Sequence, residues 1–108
     1  MVRPRAKQLT QRELEVMHVF WDAGQATATE ARERLAANDR KLAYTTVANL
    51  IRILCNKKFL KQTNTERPVR YRPLRSFEEV SRNMLNDLIE RVFHGSYEQL
   101  ILRLLESR

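Results

Sequence analysis

Cysteine is all but missing from the sequence: Cys55 stands alone among 108 residues. An internal disulfide is excluded, and no Cys and His spacing has a zinc-site pattern, so no metal is implied and a reducing, cytoplasmic setting is expected. Glycine and proline are scarce as well, two and three residues, which excludes collagen-like and low-complexity chain. Long apolar runs are lacking. None approaches the roughly 20 residues that cross a bilayer, and the opening MVRPRAKQLT has no signal-peptide core, so membrane insertion is not expected. The two histidines, His18 and His94, have no nucleophile or metal partner at a suggestive spacing. Neither catalysis nor a cofactor is indicated.

A further absence is local. From Arg40 to Lys61 there is no Asp or Glu, while Arg40, Lys41, Arg52, Lys57, Lys58 and Lys61 are all cationic. The whole chain carries a formal charge of +7. Its distribution is uneven: sixteen Lys and Arg face seven Asp and Glu up to Arg75, and four face six from Ser76 onward. Clustered cations neutralise phosphates and release their counterions, so the first part points to a polyanionic partner. The length suits one domain with a short appendage. The charge step divides residues 1–75, expected to be a DNA-binding domain with a basic arm, from residues 76–108, expected to be a helical dimerisation segment.

The apolar pattern places the elements. Thr10 and Glu13 have capping-box spacing, and Leu14, Val16, Met17, Phe20 and Trp21 give the helix that follows an apolar stripe up to Gly24. Thr27 and Glu30 repeat the box, predicting a second helix from Ala28 to about Ala37 with an exit turn at Asn38 and Asp39. Val47, Leu50, Ile51 and Leu54 then follow the i, i+3, i+4, i+7 rule, predicting a third helix over about residues 44–57. Phe59–Thr63 and Val69–Leu74 read as two strands around the polar turn Asn64–Pro68. Ser76 with Glu79, and Ser96 with Gln99, predict two more helices, to about His94 and over Tyr97–Glu106. The fold expected is mainly α with a small two-stranded β wing: a winged helix-turn-helix followed by a two-helix dimerisation segment.

In such a fold the third helix enters the major groove. Tyr44, Thr45, Thr46, Ala48, Asn49 and Arg52 lie off its apolar stripe and suit base edges or phosphates: Asn pairs with adenine, Arg with guanine, and Thr packs on a thymine methyl. Lys57 extends the cationic face. Arg67, Arg70 and Arg72 on the hairpin are expected along the DNA backbone. Arg3 and Arg5, with Lys7, form a basic arm that either enters a minor groove or aids association.

Phe77, Val80, Met84, Leu85, Leu88, Ile89 and Val92, with Leu100, Ile101, Leu104 and Leu105, supply more apolar surface than two helices bury between themselves, and Leu85, Leu88, Ile89, Val92, Phe93, Leu100, Ile101, Leu104 and Leu105 are the contacts expected to dimerise. A second copy is the expected cover, aligning two recognition helices with a palindromic operator. The competing reading is a winged helix used for protein contact in a larger assembly. A mixed or acidic third-helix face would favour it, and the sequence has neither.

The segments LTQRELEVMHVFWDAG, LAYTTVANLIRILCNKKFL and VRYRPL resemble the penicillinase-repressor family of winged-helix regulators, most specifically in the E-x-x-V-M-x-x-x-W run Glu13–Trp21 and in Thr45, Thr46 and Val47. FHGSYEQLILRLLE resembles the family's dimerisation segment. The resemblance implies a homodimeric repressor, released when a membrane metalloprotease receptor is triggered and the repressor is cut. This chain departs from the family pattern in three places. Ile53 stands where the family usually has Arg, with Arg52 one place earlier. Lys58 replaces a common Gly, and Arg103–Leu104 replaces the cleaved Asn-Phe bond.

Overall fold

Side-chain caps start four of the five helices in the computed structural model, which describes residues Gln8–Ser107. Helix α1 (Gln11–Ala23) opens with a complete capping box: Glu13 N donates to Thr10 Oγ1 at 3.1 Å, and Thr10 N donates to Glu13 Oε1 at 3.0 Å. Gly24, at φ +79°, ends it. Strand β1 (Ala26–Thr27) follows, and Thr27 and Glu30 close a second box over α2 (Ala28–Ala37). Helix α3 (Tyr44–Asn56) has no side-chain cap at Ala43. Strands β2 (Leu60–Gln62) and β3 (Arg70–Pro73) come next. Helices α4 (Phe77–Val92) and α5 (Tyr97–Glu106) are capped by Ser76 and Ser96.

The expected two-stranded wing forms from β2 and β3, and β1 joins it to make a three-stranded antiparallel sheet of order β1-β3-β2. Ala26 pairs with Tyr71 and Thr27 with Arg70 on one side of β3, while Lys61 pairs with Arg72 and Gln62 with Tyr71 on the other. Two residues are too few to show a period of two, so β1 left no pattern in the sequence. Its place has a physical reason. Strand β3 would otherwise present a row of unpaired N–H and C=O groups, and β1 covers that edge.

Val16, Met17, Val19 and Phe20 of α1, Ala31 and Leu35 of α2, and Val47, Leu50, Ile51 and Leu54 of α3 are buried with Ala26, Phe59 and Leu60. The three helices pack on one another, α3 also on β2, and α1 on β3. The stripe expected on α3 is the one buried. Trp21 is only half-buried; its Nε1 donates to the Arg75 carbonyl at 2.9 Å.

Scarce glycine has a structural consequence. Asp39, Lys58 and His94 adopt φ of +64°, +68° and +50°, where glycine is usual. After α2, Arg40 N donates to Leu35 O at 2.8 Å and Asp39 N to Ala36 O at 3.1 Å. After α3, Phe59 N donates to Leu54 O at 2.9 Å and Lys58 N to Cys55 O at 3.1 Å. Both pairs are Schellman closures, which satisfy carbonyls the helix itself leaves open. The second carries buried Leu54 and Phe59 as its apolar contact.

The chain divides into two compact units, one ending at Arg75 and the other starting at Ser76. In the second, Gly95 N donates to Ile89 O at 2.9 Å across the turn between α4 and α5. Val80 and Ile89 of α4 are buried, while no residue of α5 is. Among the described residues no helix is long and apolar enough to cross a membrane.

Candidate nucleic-acid interface

The apolar stripe of α3 faces the core, and this turns a row of polar side chains outward. Tyr44, Thr45, Asn49 and Arg52 are exposed, and Thr46 and Ala48 half-buried. Three and four residues apart on a helix, such side chains are neighbours. Arg52 Nη2 donates to Asn49 Oδ1 at 2.7 Å. This contact was not foreseen: spacing places the pair on one face without fixing the rotamers that join them.

The cations divide by whether a carboxylate meets them. Arg40 donates to Glu15 Oε2 from Nη2 at 2.7 Å and from Nε at 3.1 Å. Arg70 Nη1 lies 3.6 Å from Glu30 Oε1. Lys57, expected at the DNA, is half-buried instead, its Nζ 2.7 Å from Glu13 Oε1 and 3.0 Å from the Gln8 carbonyl. The reason lies in Glu13, which the capping box holds at 4 % exposure, where an ionised carboxylate needs a charged partner. Lys41, Arg52, Lys58, Lys61, Arg67 and Arg72 are exposed and have no carboxylate partner among the described residues. Arg3, Arg5 and Lys7 lie outside the described residues.

Asn64 organises the wing turn. Its Oδ1 accepts from Arg70 N at 2.8 Å and its Nδ2 donates to Pro68 O at 3.2 Å, spanning a turn whose Arg67–Pro68 peptide is cis. Arg67 and Arg72 project from this frame into solvent.

Among the described residues, Glu30, Cys55 and Tyr71 have shifted ionisation. The Thr27 backbone N–H above all holds the Glu30 carboxyl below its usual range; burial opposes it, and the Arg70 charge, acting less strongly than burial, adds to the lowering. Burial pushes the Cys55 thiol up, and burial with the nearby Cys55 and Tyr44 pushes the Tyr71 phenol up. Among the described residues no group of three His, Cys, Asp or Glu is placed to hold a metal ion.

In the second unit the residues expected to dimerise fall into three states. Leu85, Leu88, Val92, Ile101, Leu104 and Leu105 are exposed; Phe93 and Leu100 are half-buried. Ile89, at 1 % exposure, is already enclosed within the single chain and has no area left for a second copy. Met84 of the same apolar surplus is exposed too, as are Tyr97 and Leu102, which lie outside it.

A family model described as penicillinase repressor matches residues 9–108. The comparison with curated proteins gives no match. Among solved structures, the ferric uptake regulator from Francisella tularensis, determined with iron, is similar in fold. It has 10 % sequence identity over 83 % of each chain, with a TM-score of 0.56.

Proposed function

We infer the function from the premise that the chain belongs to the penicillinase repressor family. Membership makes it a DNA-binding transcriptional regulator and not an enzyme. The finer reading is a dimer that occupies a two-fold symmetric operator and represses by excluding polymerase. One observation carries it: the outward face of α3 offers hydroxyls, an amide and a guanidinium with no carboxylate among them. Thr45, Thr46, Ala48, Asn49 and Arg52 face base edges, Tyr44 and the wing's Arg67 and Arg72 lie at phosphates, and Arg3 and Arg5 add a basic arm. Arg70 reaches phosphate by leaving Glu30. Lys57 is left out of this surface, since its ammonium is held by Glu13 at the start of α1.

The exposed apolar side chains of α4 and α5 support dimerisation, since so many large apolar groups left in solvent call for cover. A second copy over Leu85, Leu88, Val92, Ile101, Leu104 and Leu105 sets two α3 helices at half-sites about one DNA turn apart. Nothing in the geometry supports release by a membrane metalloprotease: Arg103–Leu104, at the position of the family's cleaved bond, lies inside the helical span Tyr97–Glu106.

Footprinting of the chain on its own promoter tests this reading. Protection of a symmetric site is expected. With about five phosphates neutralised per subunit, log K should fall with log salt at a slope of roughly −9 for the dimer. A promoter bound no more tightly than random DNA at physiological salt would sink the operator reading.

A further inference from the structure

We propose that Asn49 is a positioning residue for Arg52, and that the two side chains together read a single guanine instead of Asn49 reading an adenine by itself. The proposal rests on the operator reading above and deepens it. Its basis is the 2.7 Å hydrogen bond from Arg52 Nη2 to Asn49 Oδ1 on the exposed face of α3.

The chemistry of the two groups decides how they share the work. A guanidinium has five N–H donors in a planar fork, and bidentate contact with guanine O6 and N7 takes two that are parallel. Nη2 carries two hydrogens, one beside Nε and one beside Nη1. Whichever goes to Asn49, the other still forms a complete two-donor edge. Arg52 therefore stays competent for guanine while one of its bonds is already fixed.

Asn49 is changed more. Reading adenine takes Oδ1 as acceptor for N6–H and Nδ2 as donor to N7. Here one of the two lone pairs of Oδ1 is taken by a cation, and an adenine amino group that approaches the other meets the Arg52 charge beside it. The free Nδ2 hydrogens suit acceptors, which guanine and thymine present in the major groove.

Local charge makes this arrangement specific to the helix. No carboxylate occurs between Arg40 and Lys61, so a neutral amide is the side chain that holds Arg52. The guanidinium is oriented without being neutralised. A long side chain with much rotamer freedom is thus partly ordered before DNA arrives, and less order remains to be imposed on binding.

The test selects preferred sites from a randomised duplex library, using the full chain and its N49A, R52A, R52K and N49A/R52A variants. Both residues are exposed, and thermal melting checks that each variant folds. R52A is expected to lower preference for guanine at one base pair by about 10- to 100-fold. N49A should lower preference at that same pair by several-fold, and the double variant should be no less selective there than R52A. R52K should lose the preference while keeping most non-specific affinity, because lysine keeps the charge and lacks the fork. The proposal is overturned if N49A alters an adenine preference at a different base pair, if the two losses add, or if N49A changes no preference. A wild-type chain that selects no sequence would instead remove the operator reading itself, and the paired reader with it.

Discussion

Adjacent and chemically identical, Lys57 and Lys58 are used differently. The Lys57 ammonium meets Glu13, a carboxylate buried by its capping role, and also binds the Gln8 carbonyl. Lys57→Ala leaves that charge without its partner. The expected loss is about 2 kcal/mol, less than for a fully enclosed pair because Lys57 itself is partly exposed. Urea unfolding measures it, and operator affinity of the folded protein should change little. Unchanged stability with lost operator binding would return Lys57 to the DNA face. Lys58 instead occupies a left-handed turn at φ +68°. Lys58→Gly removes the clash of its Cβ with the backbone and should raise stability by about 1 kcal/mol. A lower unfolding midpoint would show that the turn favours the lysine.

Glu30 shows how one side chain ties elements together, since it caps α2 through the Thr27 N–H and faces Arg70 on β3. These contacts hold its carboxyl below the usual range. A depressed folded-state value means that the folded protein binds this proton more weakly than the unfolded chain does. The stabilisation is then present in full above the ordinary carboxylate range and is lost as pH falls through the lower, folded value. Comparing wild type with Glu30→Gln by denaturation across pH should show a stability gap that is widest near neutrality and closes in acid. A gap that does not vary with pH would mean that the ionised form contributes nothing. The wing depends on the same joint, because β1, which ends at the Thr27 cap, also pairs with β3.

For the molecule as a whole, assembly and folding rest on different residues of the second unit. Leu104 is 58 % exposed, so Leu104→Asp costs the single chain little and puts a charge into the proposed subunit interface. Sedimentation should show monomers, with operator affinity lowered by about 100-fold or more once the two half-sites are no longer bound as one unit. Leu104→Asp that remains dimeric would place the interface elsewhere. Ile89→Ala acts on folding instead. It opens a cavity in a filled site and is expected to lower stability by about 2–4 kcal/mol.

Local chemistry was enough to show where α1 and α2 begin and which face of α3 is buried. Capping boxes at Thr10 and Thr27 and the Val47, Leu50, Ile51 and Leu54 stripe are relations over three to seven residues, a range in which helix geometry alone sets proximity. The outward polar face of α3 was legible for the same reason, and the charge step at Arg75 from composition alone. Tertiary structure decided the rest, because it brings together residues far apart in the chain. Glu13 meets Lys57 only once α1 packs on α3, Glu15 meets Arg40 only once the turn after α2 comes back to α1, and β1 has meaning only beside β3. Ile89 and Leu104 have similar apolar character in the sequence, and only folding encloses the first and leaves the second in solvent. The cationic surface implied by composition was thus thinned by ion pairs that composition cannot place, leaving Arg52, held by Asn49, on its exposed face.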